Sequence, residues 1–174
     1  AAIGFYEVAL RIEPGFHRAQ NRLAYVLASL GRFAQAQAHF ELVLRADPGN
    51  AAAHFNLGFV FDKLGRVEQA VSEFREATRL NPKLDRAWYG LGLALAALHQ
   101  HDGAAKALHQ AATLQPMNPH AWYQLGMAYH TLHQPEKVTE VVMHMLRFDP
   151  KMTRRLILDA QRGDLSHLVQ DLMV

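Results

Sequence analysis

The 174-residue sequence contains no cysteine, which excludes disulfide bonds and thiolate metal sites and leaves the redox compartment undetermined. It also has little net charge, because Lys and Arg together exceed Asp and Glu by only two residues. The cations are scattered, and Arg154-Arg155 is the one adjacent pair. A nucleic-acid partner requires clustered cations along its phosphates, so none is predicted.

Long hydrophobic runs are missing as well. The longest apolar stretch, residues 87–98, has twelve residues, whereas a membrane-spanning helix needs about 20. No secretory signal is recognisable near the start. We therefore expect no direct membrane insertion.

Catalytic motifs are absent too. There is no phosphate-binding glycine loop and no Ser-His-Asp or Cys-His set, and the carboxylates are dispersed as on solvated faces. Glu136 and Asp102 are predicted to lie at helix starts, where an acidic group favours the helix dipole. Because catalysis requires several polar groups converging on one pocket, we predict neither an enzyme nor a cofactor.

What the sequence does contain is a repeat of 34 residues. Five prolines follow one another at this interval, as do a leucine column, the small residue after each leucine, and a second-helix apolar column. The members are Pro14, Pro48, Pro82, Pro116 and Pro150; Leu23, Leu57, Leu91 and Leu125; Ala24, Gly58, Gly92 and Gly126; Phe40, Phe74, Leu108 and Val142. A period of this length indicates stacked supersecondary units that bury a common core.

Each period is predicted to form two helices. Residues 50–64 and 67–80 both carry apolar residues at helical spacing. Gly65 separates them, since glycine takes a left-handed C-cap without steric cost. The small Gly58 and Ala70 are expected where the paired helices approach closely.

These motifs resemble the tetratricopeptide repeat. The resemblance rests on Trp122-x-x-Leu125-Gly126-x-x-Tyr129, on Ala70-x-x-x-Phe74-x-x-Ala77 and on the closing Pro82. It implies an all-α fold, a right-handed α-solenoid of tandem helix-turn-helix repeats. The expected division is the second helix of a truncated repeat (1–16), four repeats (17–50, 51–84, 85–118 and 119–152) and a C-terminal capping hairpin (153–174).

The two ends depart from the pattern. Residues 1–16 match only a second helix, so the sequence leaves open whether a signal or anchor lies upstream. The compartment is therefore unknown, with the cytoplasm slightly favoured. In the capping hairpin, Gly163 is predicted to end a helix and Asp164 to cap the next one. The side chains predicted to face the array are Leu165, Leu168, Val169 and Leu172.

Histidine is the one residue type that suggests a metal. His130 and His133 could place two imidazoles on one helix face, as in a zinc site. However, His99 and His133 occupy the column of Gly31 and Gly65, where a left-handed turn is expected, and histidine tolerates that conformation. No neighbouring ligand completes the set, so we predict structural turns and no metal.

The resemblance further implies that the first helix of each repeat lines a concave groove. The lining columns are rich in aromatic and apolar residues and are flanked by cations. The predicted partner-binding residues are Arg18, Asn21, Tyr25, Phe55, Phe59, Arg86, Tyr89, Leu93, His120, Tyr123, Met127 and Arg154.

Two known ligand patterns of the family do not fit. The clamp that holds chaperone C-termini would fall on Asn21, Tyr25, Asn56, Arg86 and Gly90. Only Asn56, and loosely Arg86, suit it, so chaperone-tail binding is not predicted. The asparagine ladder of repeats attached to sugar transferases fails because its column reads Arg22, Asn56, Gly90, Gln124.

An aromatic stripe at helical spacing is usually core, so the groove residues could simply be buried between repeats. Against this, the helix over 87–98 is apolar on every side, and a groove would expose Tyr89, Leu93, Ala96 and Ala97. An exposed apolar patch marks an interaction site. We therefore predict a scaffold that binds a protein or peptide, either acidic or apolar. Homo-oligomeric assembly through the first helix or through residues 164–174, and an arm of a larger enzyme, remain the alternatives.

Overall fold

The computed structural model describes residues 2–170, which contain helices and no strand. The helices are α1 Ala2–Ile12, α2 His17–Ser29, α3 Phe33–Ala46, α4 Ala51–Lys63, α5 Val67–Leu80, α6 Asp85–Ala97, α7 His101–Leu114, α8 Pro119–Thr131, α9 Pro135–Met145, α10 Pro150–Asp159 and α11 His167–Gln170. A 3₁₀ turn covers Gly163–Leu165. The predicted all-α class is confirmed.

The chain divides into two compact units, residues 1–90 and 91–174, with the boundary inside α6. In the first unit, α1 packs on α2, α2 on α3, α3 on α4 and α4 on α5. In the second unit, α7 packs on α8 and α8 on α9, while α10 lies against both α8 and α9. Each unit is therefore built from helices packed on their neighbours in sequence.

The turns between paired helices adopt the left-handed conformation that the column pattern predicts. The φ angles are 74° at Gly31, 73° at Gly65, 58° at His99 and 54° at His133. The backbone N–H of the following residue then reaches back to a carbonyl near the helix end, as Gln134 does to Tyr129 O at 3.0 Å. The structural interpretation of His99 and His133 is confirmed.

Side-chain caps fix the start of several first helices. Asn50 Oδ1 accepts from the Ala53 N–H at 3.0 Å, and Asn118 Oδ1 accepts from the His120 N–H at 3.0 Å. Asp149 Oδ1 accepts from the Met152 N–H at 2.8 Å, and α10 begins at Pro150. This start lies three residues before residue 153, where the capping hairpin is predicted to begin. A proline suits this first helical position because its missing N–H has no partner there in any helix.

The C-terminal segment differs from the sequence-based expectation. Gln161, with a φ of 54°, takes the left-handed position after α10, and Gly163 lies in the 3₁₀ turn. The predictions that Gly163 ends the helix and that Asp164 caps the next are therefore wrong. Asp164 instead accepts from Arg162, whose Nε and Nη2 lie 2.8 and 2.6 Å from its carboxylate oxygens. This ion pair holds the pKa of the Asp164 carboxyl below its usual value.

The predicted inward face of this segment is largely present. Leu165 and Val169 are buried and Leu168 is half-buried, whereas Leu172 lies outside the described residues. Within residues 2–170, no helix has the length and apolar character needed to cross a bilayer.

Glycine allows the closest helix contacts. A Cβ added at Gly58 or at Gly90 would lie 2.8 Å from the ring of Phe74, and Ala70, four residues before Phe74 in α5, is fully buried. Comparable contacts join Gly92 to Leu108 and Gly126 to Leu156. The close approach predicted at Gly58 is confirmed, and Gly90 adds a second contact to the same ring.

Truncating Phe74, which is 3% exposed, is the sharpest test of this packing. Phe74→Ala should lower the free energy of unfolding by about 3–5 kcal/mol, because it removes buried apolar area and leaves a cavity. The measurement is chemical denaturation. Leu42→Ala, at a side chain 44% exposed, is the control and should change stability by no more than about 0.5 kcal/mol. A cost below about 1 kcal/mol for Phe74→Ala would contradict the assignment.

Candidate partner-binding surface

Four of the predicted partner-binding residues lie together in the first unit. Tyr25 from α2, Phe55 and Phe59 from α4 and Arg86 from α6 line one cleft of about 160 Å³. The remaining lining residues are Ala28, Ser29, Phe40 and Asn56. We call this the Phe59 cleft. Its floor is aromatic, and its polar groups are hydroxyls, one amide and one guanidinium.

Phe55 forms the fixed part of the cleft. Its ring lies 6.0 Å from that of Phe74, and the guanidinium of Arg86 lies 4.9 Å from its centroid. A cation over an aromatic face is attracted by the negative charge of the π-system. Phe55 is therefore half-buried between a core ring and a surface cation.

Phe59 and Tyr25 form the accessible part. Phe59 is 40% exposed and Tyr25 is 56% exposed. The Phe59 ring meets Phe33 edge to face at 6.4 Å, and the ammonium of Lys63 lies 5.3 Å from its centroid. These contacts orient Phe59 without covering it, so two aromatic side chains face solvent at one place.

The other predicted partner-binding residues of the first unit, Arg18, Asn21 and Tyr89, differ in how far they are exposed. Arg18 is exposed, and Asn21 is half-buried, with an Oδ1 that has no hydrogen-bond partner among the described residues. Tyr89 is half-buried, and this burial raises the pKa of its phenol. None of these three lines the Phe59 cleft.

In the second unit, Tyr123 is held by α10. Its hydroxyl donates to Asp159 Oδ2 at 2.6 Å, and the Arg155 guanidinium lies 5.3 Å from its ring centroid. Arg155 Nε also donates to the same Asp159 oxygen at 3.4 Å. Burial first, and then the Asp159 carboxylate, raises the pKa of the Tyr123 phenol. The sequence marks Asp159 only as a departure from the repeat pattern and gives no sign of this partner.

The apolar helix over 87–98 is exposed in part, as predicted. Leu93 is 36% exposed and Ala97 is exposed, whereas Tyr89 and Ala96 are half-buried. Of the remaining predicted residues, Met127 is half-buried, and His120 and Arg154 are exposed. None of Phe55, Phe59, Tyr89 and Tyr123 belongs to the buried core.

The sequence analysis does not predict a set of side-chain hydrogen bonds at the repeat junctions. The indole N–H groups of Trp88 and Trp122 each donate, at 2.9 Å, to the carbonyl of the proline six residues earlier. His54 occupies the same column, and its Nε2 lies 2.9 Å from the corresponding proline oxygen. The only sign of these hydrogen bonds in the sequence is that all three side chains lie six residues after a proline of the repeat. These hydrogen bonds attach the start of each of the three helices to the turn that precedes it.

Among residues 2–170, no group of three or more His, Asp or Glu side chains is placed so that it could hold a metal ion. His133 stands exposed in its turn, and its backbone geometry accounts for its place there.

The sequence matches two profiles of the tetratricopeptide repeat, over residues 27–95 and 89–136, and the chain belongs to the tetratricopeptide repeat family. No curated protein matches it. The helices, packed on their sequence neighbours, are those of a tandem hairpin-repeat fold.

Several solved structures share this fold. MamA aligns with a TM-score of 0.76 at 20% identity over 93% of this chain and 88% of its own. YrrB, described as a TPR protein with an unusual peptide-binding site, aligns with 0.79 at 18% identity over 97% and 92%. MamA residues 41-end from Desulfovibrio magneticus RS-1 aligns with 0.74 at 20% identity over 92% and 84%. The family and these neighbours support a protein-interaction scaffold in general, a fold that is typically not enzymatic.

The contact between Tyr123 and Asp159 predicts a titration change. Asp159→Asn removes the carboxylate charge, so the pKa of Tyr123 should fall, yet stay above the ordinary value of about 10 because burial is the larger cause. Tyrosinate absorbance, with NMR assignment of the rings, measures it. Tyr89 is the internal control, because burial alone raises its pKa. An unchanged Tyr123 titration would exclude the interaction.

The raised phenol pKa values also fix the sign of the pH dependence of stability at high pH. Burial raises the pKa of Tyr89, Tyr123 and Tyr129 in the folded state. The contribution of these three phenols to the free energy of unfolding is therefore complete below about pH 10. It is lost as the pH rises through their pKa values in the folded state. Denaturation at increasing pH should show a falling free energy of unfolding, and the Tyr89→Phe/Tyr123→Phe/Tyr129→Phe variant should show a shallower fall. An equal slope would contradict the account.

Proposed function

We propose that this chain is a non-enzymatic adaptor that binds a segment of a partner protein along the exposed sides of its first helices. The observation that carries the proposal is the Phe59 cleft, where two exposed aromatic rings lie beside a stacked arginine. The proposed contact residues are Arg18, Asn21, Tyr25, Phe55, Phe59, Arg86, Tyr89, Leu93, His120, Tyr123, Met127 and Arg154.

The chemistry of the Phe59 cleft favours an apolar side chain next to a carboxylate. Tyr and Arg are enriched at the energetic centres of interfaces, and aromatic rings provide apolar area that loses little rotamer freedom. The exposed guanidinium of Arg86 lies over the Phe55 ring, and the planar set of N–H donors in a guanidinium matches the geometry of a carboxylate. The proposed partner segment is therefore apolar and acidic.

The same cleft argues against catalysis. Its lining contains neither a carboxylate nor a histidine, so it offers no general acid or base of the usual kind. The peptide-binding site named for YrrB supports the proposal at the level of fold, which is analogy, since the two chains are 18% identical. The division into repeats 17–50, 51–84, 85–118 and 119–152, with flanking partial units, belongs to the same proposal.

The test uses peptides selected against the wild-type chain from a random display library, followed by calorimetry with purified peptide. Tyr25→Ala and Phe59→Ala should each weaken binding by about 2 kcal/mol, or roughly 30-fold, because each removes an aromatic anchor. Arg86→Met should weaken the acidic peptides more than the neutral ones.

Leu42→Ala is the matched control, since Leu42 is similarly exposed but lies on α3. It should leave affinity unchanged, and the melting temperature of all these variants should stay close to that of wild type. Equal losses from Leu42→Ala and Phe59→Ala, or no loss from either aromatic, would remove the Phe59 cleft from consideration.

One observation favours homo-oligomerisation as a second function. Helix α1 has no buried residue, and it exposes Phe5 by 71%, Val8 by 50% and Ile12 by 81% on a common stripe. Such a stripe can be covered by another copy of the chain. Light scattering over a concentration series should then show a rising mass that Ile12→Asp abolishes; a constant monomer mass would exclude this function.

A further inference from the structure

Helix α1 presents an apolar face that residues 2–170 leave open to solvent. Phe5, Val8 and Ile12 are 71%, 50% and 81% exposed, and their spacing of three and then four residues places them on one side of the helix. We call these three residues the α1 stripe. The charged residues of the helix, Glu7 and Arg11, do not belong to it.

The hairpin α8–α9 shows what covers the equivalent face of a second helix. His144 and Phe148 in and after α9 stand four repeat periods after Val8 and Ile12. The ring of Trp122, near the start of α8, lies 4.0 Å from that of His144, which in turn lies 5.6 Å from the ring of Phe148. Since α8 and α9 pack together across a short turn, they run antiparallel.

The hairpin α4–α5 covers this face in the same way. Glu73 in α5 stands two periods after Phe5, and its Oε2 lies 2.6 Å from Nδ1 of His54, near the start of α4. His54 and Trp122 belong to one column of the repeat. In both hairpins the covering group is therefore a ring carried by an antiparallel helix.

Helix α1 supplies both requirements to a second copy of itself. When two α1 helices lie antiparallel with Val8 near the centre, Phe5 of each copy lies opposite Ile12 of the other. A ring then covers each end of the stripe, and every side chain of the stripe meets an apolar one. The spacing of three and four residues is also that of the contact positions in paired helices.

We propose that the chain forms a closed, two-fold symmetric dimer in which the α1 stripes of two copies pack antiparallel. Each α1 takes, for the other copy, the place that a first helix takes in the hairpins α4–α5 and α8–α9. A contact that uses the same surface on both copies ends at two chains. This proposal rests on the homo-oligomerisation proposed above and is independent of the Phe59 cleft.

The size of the contact sets the expected strength of the dimer. Helix α1 has 11 residues, so it is about 16 Å long at roughly 1.5 Å per residue. Three side chains from each copy make an interface at the low end of the range, where complexes are weak and transient. The mass measured by light scattering should therefore rise reversibly with concentration and level off at two chains.

Disulfide trapping tests the arrangement, and the chain has no cysteine of its own to interfere. In a glutathione redox buffer, Val8→Cys should form a linked dimer, because the two copies of residue 8 lie near the symmetry axis. Phe5→Cys and Ile12→Cys should link to each other when the two variants are mixed. Neither should link to itself, since identical positions would lie about 10 Å apart along the helices, beyond the reach of a disulfide.

Leu42→Cys is the matched control, because Leu42 is 44% exposed on α3 but lies outside the α1 stripe. It should not link to itself under the same conditions. Circular dichroism should be the same for all four variants as for wild type, since each replaces an exposed side chain.

The outcomes separate this arrangement from self-association as such. Linking of Phe5→Cys to itself, no linking of Val8→Cys, or a mass that continues to rise beyond two chains would overturn the antiparallel dimer and leave homo-oligomerisation in place. A mass that stays at one chain at all concentrations would overturn both.

Discussion

The ring of Phe74 lies against two glycines at once, Gly58 in α4 and Gly90 in α6. An added Cβ at either position would come within 2.8 Å of the ring, so both helices depend on having no side chain there. The same ring supports Phe55 at 6.0 Å, and Phe55 in turn carries the guanidinium of Arg86. One core contact thus sets the helix spacing of the first unit and positions the inner wall of the Phe59 cleft. The proposed recognition surface and the core therefore share this ring. Truncating Phe55 would disturb both, whereas Phe59 and Tyr25 are exposed and can test binding alone.

Much of the fold could be predicted because it is local and repeated. The left-handed turns at His99 and His133 follow from their column alone, since Gly31 and Gly65 occupy the same place. The helix boundaries that the repeat does not predict are set by single residues. Asp149 caps α10 and moves its start to Pro150, and Gln161 takes the left-handed position in place of Gly163. The sequence does not predict the close contact at Gly90, because its column otherwise holds the larger residues Arg22, Asn56 and Gln124.

The candidate sites were predictable to a smaller degree, because they depend on contacts between distant residues. The columns correctly indicate that Phe59, Tyr25 and Leu93 are exposed. They give no sign that Tyr123 donates to Asp159, 36 residues away, because α10 is shifted out of the period.

The central claim is that a partner segment lies on the exposed aromatic rings of the first helices. The most direct test is the measurement of intermolecular nuclear Overhauser effects between the ¹³C-labelled chain and a selected unlabelled peptide. The account predicts contacts from the peptide to the ring protons of Tyr25 and Phe59 and to the side chain of Arg86. Contacts confined to second-helix side chains such as Leu42 and Met143, with none to Phe59, would contradict it.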